Sequence, residues 1–164
     1  MINLKTTREL RYMRDAGKIS QEALLKAGEA VRPGVFTLEL DKIVRRTIEK
    51  AGAVPSFLGY GGFPASACIS VNNVVIHGIP SAHEILKEGD IVSIDVGAIY
   101  EGFNGDNAWT FPCGKVSEEA QKLMDATRES LFLAIEKAVP GNRIGDIGYA
   151  VQSYCEAVSY THLT

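Results

Sequence analysis

The sequence contains no long apolar run and no leader-like N-terminus. No apolar stretch approaches the roughly 20 residues that a membrane-spanning helix needs. The opening segment, MINLKTTREL, is polar and has helical character, without the apolar centre of a secretion signal. The sequence therefore predicts neither membrane insertion nor secretion, and we expect a cytoplasmic protein.

Cysteine and net charge are also scarce. The three cysteines, Cys68, Cys113 and Cys155, are scattered and show no Cys-x-x-Cys spacing, which argues against a disulfide framework and a zinc ribbon. A formal charge of −3, from 17 basic and 20 acidic residues, argues against a dedicated nucleic-acid surface. What is abundant is apolar content: 46% hydrophobic residues in 164 suffice for one domain with a buried core.

Four helices are predicted, two on each side of a central stretch rich in strand signals. The first begins with a capping-box pattern, Thr6 followed by Glu9, before apolar residues at helical spacing. Three further helices are predicted to begin at Thr37, after Ser117 and after Pro140-Gly141.

The central stretch changes to glycine, aromatic and β-branched residues. Its clearest strand is 67–71, and 91–99 with 103–111 form a predicted hairpin. The order helix, helix, sheet, helix, helix predicts the α+β class.

A shift of 107 residues aligns the two helical parts of the sequence. Pro33-Gly34 falls on Pro140-Gly141, and the apolar positions of the flanking helices coincide. The alternative is that any two helix–Pro-Gly–helix units resemble each other. If the repeat is real, strands should follow the second pair of helices, and they do not. We expect one incomplete domain over 1–164, with a first repeat at 7–111, the start of a second at 114–158 and an aberrant tail at 159–164.

Two aspartates interrupt the predicted hairpin, in the stretch IDVGAIYEGFNGD. A turn centred between Tyr100 and Glu101 would place Asp95 directly opposite Asp106, on one side of the sheet. Like charges in that arrangement are destabilising, and a divalent cation bound by both carboxylates removes the conflict. The alternative is a solvent-facing pair beside a glycine-rich turn. A slip of one residue in register would instead put the aspartates on opposite faces.

A histidine and a cluster of aromatic residues complete the candidate site. His77, in VVIHGIP, ends an apolar run at a strand-to-turn edge. It can bind a metal or a substrate and transfer protons, or it can be an ordinary structural histidine. Phe57, Tyr60, Phe63 and Cys68 lie among glycines in FLGYGGFPASAC. They form either an apolar specificity pocket or part of the core.

The motifs FLGYGGFPASACIS, VNNVVIHGIP and GDIVSIDVGAIYEGFNGDNAWTF, in this order, resemble the short bacterial form of type I methionine aminopeptidase over residues 3–157. The resemblance implies the pita-bread fold, in which two pseudo-symmetric halves surround a dinuclear metal site. It also implies hydrolytic removal of the initiator methionine from nascent polypeptides. An intact relative is expected to be monomeric, with the ribosome as a partner and no specific nucleic acid.

The resemblance assigns roles to individual residues. Asp95 and Asp106 match metal ligands, with Asp106 bridging, and His77 matches a catalytic histidine that contacts the substrate. The implied metals are two divalent ions, drawn from Co, Mn, Fe(II), Zn and Ni, together with Na or K. The remaining matches are the methionine-pocket residues Phe57, Tyr60, Phe63 and Cys68, and the monovalent-cation residues Asn72 and Val74. Relatives often carry cysteine where this sequence has Phe57.

The sequence also departs from the family. A histidine and two glutamates should complete the metal site from the second half, together with a second substrate-contacting histidine, and none is present. His162 lacks the family's Gly-His-Gly setting and receives no role. We therefore expect the chain as written to be nearly inactive. The alternatives are a proline-specific relative, such as prolidase or aminopeptidase P, and a non-catalytic peptide- or ribosome-binding module.

Overall fold

The computed structural model describes residues 4–158, which form two compact units. The first ends at Val116 and the second begins at Ser117. None of the helices within 4–158 is both long and apolar enough to cross a membrane.

Two helices open the first unit. Helix α1 spans Thr7–Glu29 and helix α2 spans Thr37–Lys50. The predicted capping box is confirmed, because the Thr6 hydroxyl accepts from the Glu9 N–H at 3.3 Å and the Glu9 carboxylate accepts from the Thr6 N–H at 2.7 Å. Both backbone donors are thus satisfied where α1 begins.

Four antiparallel strands follow: β1 Val54–Pro55, β2 Ala67–Val71, β3 Ile91–Tyr100 and β4 Phe103–Pro112. A 3-10 turn at Tyr60–Gly62 lies between β1 and β2. Strand β3 is the centre of the sheet: β4 pairs along its whole length, while β1 and β2 pair with it on the other side. The predicted strand at 67–71 is confirmed, and the hairpin strands each extend one residue beyond their predicted ends.

The predicted register of the hairpin is wrong by two positions. Tyr100 pairs with Phe103, so the two-residue turn is Glu101-Gly102, with φ of 50° and 78°. Asp95 consequently pairs with Ala108, and Asp106 pairs with Gly97. Positive φ at both central residues is the type I′ geometry that matches strand twist, and this preference fixes the turn one residue later than expected.

Helices α1 and α2 cover one face of the sheet. Alternate β3 residues Val92, Ile94, Val96 and Ala98 are fully buried in the core with Leu40 of α2. The approach of α1 to β4 is close. Gly105 lies against the backbone of Ala16 and Gly17, and the Asn107 amide donates to the Gly17 carbonyl at 3.0 Å and to Ser20 Oγ at 2.7 Å.

The second unit, as described over 117–158, consists of two helices. Helix α3 spans Glu118–Lys137 and helix α4 spans Ile144–Ala157. The predicted cap is confirmed, since Ser117 Oγ accepts from the Ala120 N–H at 3.1 Å. Helices α2 and α4 are both 14 residues long and begin 107 residues apart (144 − 37 = 107). The internal repeat stays a prediction.

Candidate metal centre

The face of the sheet opposite the helices carries both aspartates of the predicted metal site. Strand alternation turns Ser93, Asp95 and Gly97 away from the buried face of β3. The pairing extends this face to the neighbouring strands, because Cys68 lies beside Asp95 on β2, and Asp106 lies beside Gly97 on β4. The site is therefore built on three rigid strands.

The two aspartates are diagonal neighbours rather than direct opposites. Gly97, the partner of Asp106, is two residues from Asp95, so both carboxylates project from the same side of the sheet. The predicted common face is thus correct although the predicted pairing is not. A register error of two residues preserves the face, whereas an error of one residue would reverse it.

The electrostatics of Asp95 show that its charge is poorly accommodated. Its side chain is half-buried, and burial is the main reason why the pKa of Asp95 is raised from 3.8 to about 6. The negative charge and close side chain of Asp106 raise this pKa further, while His77 and the Val96 backbone lower it. The charge of His77 thus acts on the carboxylate in the direction opposite to that of Asp106.

A cation is the partner that this arrangement lacks. Asp95 Oδ1 is buried and forms no hydrogen bond within the described structure. A buried carboxylate oxygen without a partner is costly, and a hard divalent ion prefers carboxylate oxygens as ligands. The residues that are present therefore fit a divalent metal, with Asp95 and Asp106 as ligands.

The described residues supply only part of a metal site. Across 4–158 no group of three or more His, Cys, Asp or Glu side chains is arranged to hold a metal ion. Two carboxylates leave most coordination positions of a divalent ion to other ligands. His162 lies outside the described residues.

Cys68 places an uncharged side chain beside the carboxylates. Its side chain is buried, and burial followed by the charges of Asp95 and Asp106 raises the pKa of its thiol to about 11. At neutral pH the thiol is therefore protonated, which makes Cys68 a poor nucleophile. Its position fits the predicted role as part of an apolar pocket.

His77 lies in an exposed loop between β2 and β3, with a left-handed backbone conformation of φ 59°. The segment folds back along the outer edge of β2, where the Ile69 N–H donates to the Gly78 carbonyl at 2.9 Å. This fold holds the residue after His77 against the strand that carries Cys68.

The predicted pocket residues are only partly brought together. Phe57 lies over Gly97, since a Cβ at position 97 would come within 2.7 Å of the Phe57 ring. Phe63 is half-buried in the same compact turn, where its carbonyl accepts from the Gly59 N–H at 2.8 Å. The Tyr60 side chain is 81% exposed, and the structure does not pack it against the carboxylates.

The predicted monovalent-cation residues lie at the far end of β2. The Asn72 side chain donates to Asp90 at 2.8 Å and accepts from the Ile91 N–H at 3.0 Å, so its amide oxygen already has a donor. Val74 is exposed, and its N–H donates to the Val71 carbonyl at 3.1 Å. The monovalent-cation site stays a prediction.

Two polar residues that support the site were missed by the sequence reasoning. The buried Asp41 accepts from the Ser66 and Ala67 N–H groups at 2.7 and 3.0 Å, which holds the start of β2. Ser70 accepts from the Gly78 N–H at 3.1 Å. Strand alternation could have found Ser70, because it shares a face with Cys68 two residues earlier.

The model of the family described as Metallopeptidase family M24 matches residues 11–164. A methionine aminopeptidase from Clostridium acetobutylicum is 53% identical over 160 residues, which is 98% of this chain. The crystal structure of methionine aminopeptidase from Thermotoga maritima superposes with a TM-score of 0.94 at 40% identity, over 96% of this chain and 64% of that one. A prolidase from Pyrococcus furiosus superposes with a TM-score of 0.82 at 22% identity, over 96% of this chain and 45% of that one, which reflects a common fold alone.

The chain spans 64% of the length of the Clostridium acetobutylicum relative. The part in common includes the sheet that carries both aspartates.

Proposed function

The chain belongs to metallopeptidase family M24 and has the pita-bread fold, and from that premise we propose that it is the carboxylate-bearing part of a methionine aminopeptidase. The proposal rests above all on the placement of Asp95 and Asp106 as diagonal neighbours on one open face, with a buried oxygen of Asp95 that has no hydrogen-bond partner within the described residues. Membership of a metallopeptidase family implies divalent metal ions as cofactors. The substrates are the N-termini of nascent polypeptides in the cytoplasm, the enzyme is a monomer, and the ribosome is a partner.

Three residues of this part of the molecule have a role in the proposed hydrolysis. Asp95 and Asp106 would hold divalent metal, which would supply an activated water molecule and a Lewis acid for the scissile carbonyl. His77 donates a hydrogen bond to the substrate near the scissile amide, where negative charge develops. Because Asp95 and Asp106 project from neighbouring strands of one rigid sheet, their carboxylates need little rearrangement during the reaction.

Selectivity for methionine comes from the apolar wall. Phe57, Phe63 and Cys68 offer a thioether side chain an apolar, polarisable surface beside the carboxylates. The neutral thiol of Cys68, whose pKa is about 11, adds no competing charge to this wall. The resemblance assigns Tyr60 to the same pocket, although its side chain is exposed in this structure.

We expect weak metal binding and little turnover from the 164-residue chain by itself, because it carries two of the carboxylates and none of the other ligands that the resemblance implies. Hydrolysis of the peptide Met-Ala-Ser should be measured with added Co²⁺, Mn²⁺ or Fe²⁺, with Ala-Met-Ser as the control peptide. Robust turnover would refute the expected inactivity. Turnover without preference for N-terminal methionine would instead refute the proposed substrate.

Metal titration tests the role of the carboxylates independently of turnover. Visible absorption of added Co²⁺ should report binding to the wild-type chain and its loss in Asp95→Ala. The matched control is Asp125→Ala, which removes a carboxylate from α3 and should change nothing. Equal Co²⁺ binding by Asp95→Ala would favour a non-catalytic binding module.

A further inference from the structure

His77 has a backbone conformation that needs support. Its φ of 59° lies in the left-handed region, which is unfavourable for a residue with a Cβ. Such a conformation persists only where surrounding contacts determine it. His77 is exposed, so its own side chain is not packed firmly enough to supply that support. The contacts that fix it must lie in the neighbouring backbone.

The peptide that follows His77 is clamped against β2. The Gly78 carbonyl accepts from the Ile69 N–H at 2.9 Å, and the Gly78 N–H donates to Ser70 Oγ at 3.1 Å. A side chain at position 78 would overlap the Ile69 carbonyl, so only glycine can come this close. Both polar groups of one residue are thus held by consecutive residues of the strand.

Ser70 anchors this part of the loop by a side-chain hydrogen bond. Among the described residues, no other side chain hydrogen-bonds to the segment 73–79. The loop is tied down before this segment by Asn72, through Asp90 and Ile91. It is tied down after it at Ser81, whose N–H donates to Thr37 Oγ1 at 2.8 Å. Between these ends, the Ser70 hydroxyl is the one side-chain anchor.

Ser70 is also placed to link the loop to the carboxylates. It lies on the same face of β2 as Cys68, which pairs with Asp95. Its hydroxyl is almost fully buried, with 4% of the residue exposed. Without the Ser70 hydroxyl, the Gly78 N–H would have no acceptor in a part-buried place, which carries a free-energy penalty. The hydrogen bond is therefore directional and specific.

We propose that Ser70 is a positioning residue: its hydroxyl holds the Gly78 N–H and thereby keeps His77 in the left-handed conformation that directs the imidazole to the open face beside Asp95 and Asp106. The inference rests on the proposed function for the role of His77 in the reaction. The clamp itself is a property of the chain and can be measured without turnover.

The test uses two matched pairs of variants of the full chain. Ser70→Val and Ser70→Thr have nearly the same shape and differ in the hydroxyl. Ser70→Ala is compared with Ser93→Ala, which removes a hydroxyl from the paired position on β3, where its partner is Thr110 at 2.8 Å. Only the loss of the Ser70 hydroxyl should affect His77.

The first measurement is NMR of the labelled chain. A positive φ brings the amide hydrogen of a residue close to its own Hα and gives a strong NOE between them. This NOE of His77 should weaken in Ser70→Ala and Ser70→Val but persist in Ser70→Thr and Ser93→Ala. Asn72 and Glu101, with φ of 53° and 50°, are internal references that should stay strong in every variant. Exchange of the Gly78 amide hydrogen should accelerate by about tenfold, as expected for the loss of one hydrogen bond.

The second measurement reports the position of the imidazole. Added Mn²⁺ should broaden the ring signals of His77 in the wild-type chain and in Ser70→Thr, and less in Ser70→Val, with the exposed His83 as reference. An unchanged His77 NOE in Ser70→Ala and Ser70→Val would overturn the proposal. Failure of these two variants to fold while Ser70→Thr folds would also overturn it, because the role would then be structural. If Mn²⁺ broadened the His77 signals in no variant, the metal site would be contradicted. The His77 NOE would still test whether Ser70 holds the loop.

Discussion

At the scale of the residue, the ionised Asp95 side chain lowers the stability of the metal-free chain, and its proposed role as a metal ligand requires that ionised form. Its pKa is raised from 3.8 to about 6, mainly by burial and then by Asp106. Well below pH 3.8 the carboxyl is protonated in both folded and unfolded chains, so it contributes no difference in stability. As the pH rises from about 3.8 to about 6, the unfolded chain releases this proton before the folded chain does. Asp95 therefore destabilises the metal-free fold increasingly over this range, and the cost stays constant at higher pH.

The substitution Asp95→Asn should therefore stabilise the metal-free chain at pH 7.5 and leave it unchanged at pH 3.5. A shift of about two pKa units corresponds to about 3 kcal/mol, which partial exposure reduces to about 1–2 kcal/mol. Urea unfolding in EDTA, followed through the fluorescence of Trp109, measures the difference.

Glu129→Gln is the control for that experiment, because it removes an exposed charge from α3. An equal gain from Asp95→Asn at both pH values would show that the strain is steric and not electrostatic. A loss of stability at pH 7.5 would show that the carboxylate has a partner in the folded chain.

The residues of the site were predictable to different degrees. Asp95 and Asp106 stood out because charges in a strand pattern are rare, and the common face followed from period-two alternation. Ser70 and Asp41 went unnoticed because a serine in a strand and an aspartate in an amphipathic helix are ordinary. Alternation places Ser70 on the face of Cys68, but it does not encode the hydrogen bonds that make Ser70 and Asp41 important, which join them to backbone groups elsewhere in the sequence.

At the scale of the element, the hairpin shows what local patterns can and cannot fix. The strands were predictable from alternation and composition, but their register depends on which residues adopt positive φ. Glu101-Gly102 forms the turn, and glutamate is not a residue that favours the left-handed region. A sequence with Asn-Gly would have marked the turn plainly.

Substitution of the turn residues should change stability in opposite directions. Glu101→Asn should stabilise the hairpin by up to about 1 kcal/mol, because asparagine tolerates positive φ. Gly102→Ala should destabilise it by about 1 kcal/mol, since φ is 78° there. Thermal unfolding by circular dichroism measures both. A gain from Gly102→Ala would contradict the type I′ turn.

The contact between α1 and β4 provides a second test at this scale. A Cβ at position 105 would overlap the backbone of Ala16 and Gly17, which cannot move aside as a flexible side chain can. Gly105→Ala should therefore cost about 1–3 kcal/mol. Gly17→Ala adds a Cβ in open space on the same helix and should gain about 0.5–1 kcal/mol.

Urea unfolding compares these two variants with the wild-type chain. Similar effects of the two would mean that α1 lies farther from the sheet than described. Gly17 lies on α1, on the side of the sheet opposite the carboxylates, so Co²⁺ binding per folded molecule should not change in Gly17→Ala.

At the scale of the whole molecule, the two units differ in how their helices are covered. In the first unit, α2 contributes Leu40, Val44 and Ile48 to the core, each with no exposed surface. In the second unit, several large apolar side chains of the helices are exposed. These include Leu131, Phe132 and Ile135 on α3, and Ile144 and Tyr149 on α4. Composition predicted the helices, but it could not predict this exposure, because the pattern of an amphipathic helix is the same whether or not its apolar face is covered.

Exposed apolar side chains on α3 should make the chain prone to association. Phe132 and Ile135 are 51% and 55% exposed, whereas Ala134 between them is 7% exposed. Large exposed apolar patches favour aggregation, so Phe132→Lys and Ile135→Lys should reduce light scattering and binding of the dye ANS without lowering the unfolding midpoint. Ala134→Lys, which forces a charge into a buried position, should lower the midpoint and increase dye binding. If Phe132→Lys lowered the midpoint as much as Ala134→Lys, Phe132 would have to be buried in the chain in solution, and the apolar surface of the second unit would already be covered.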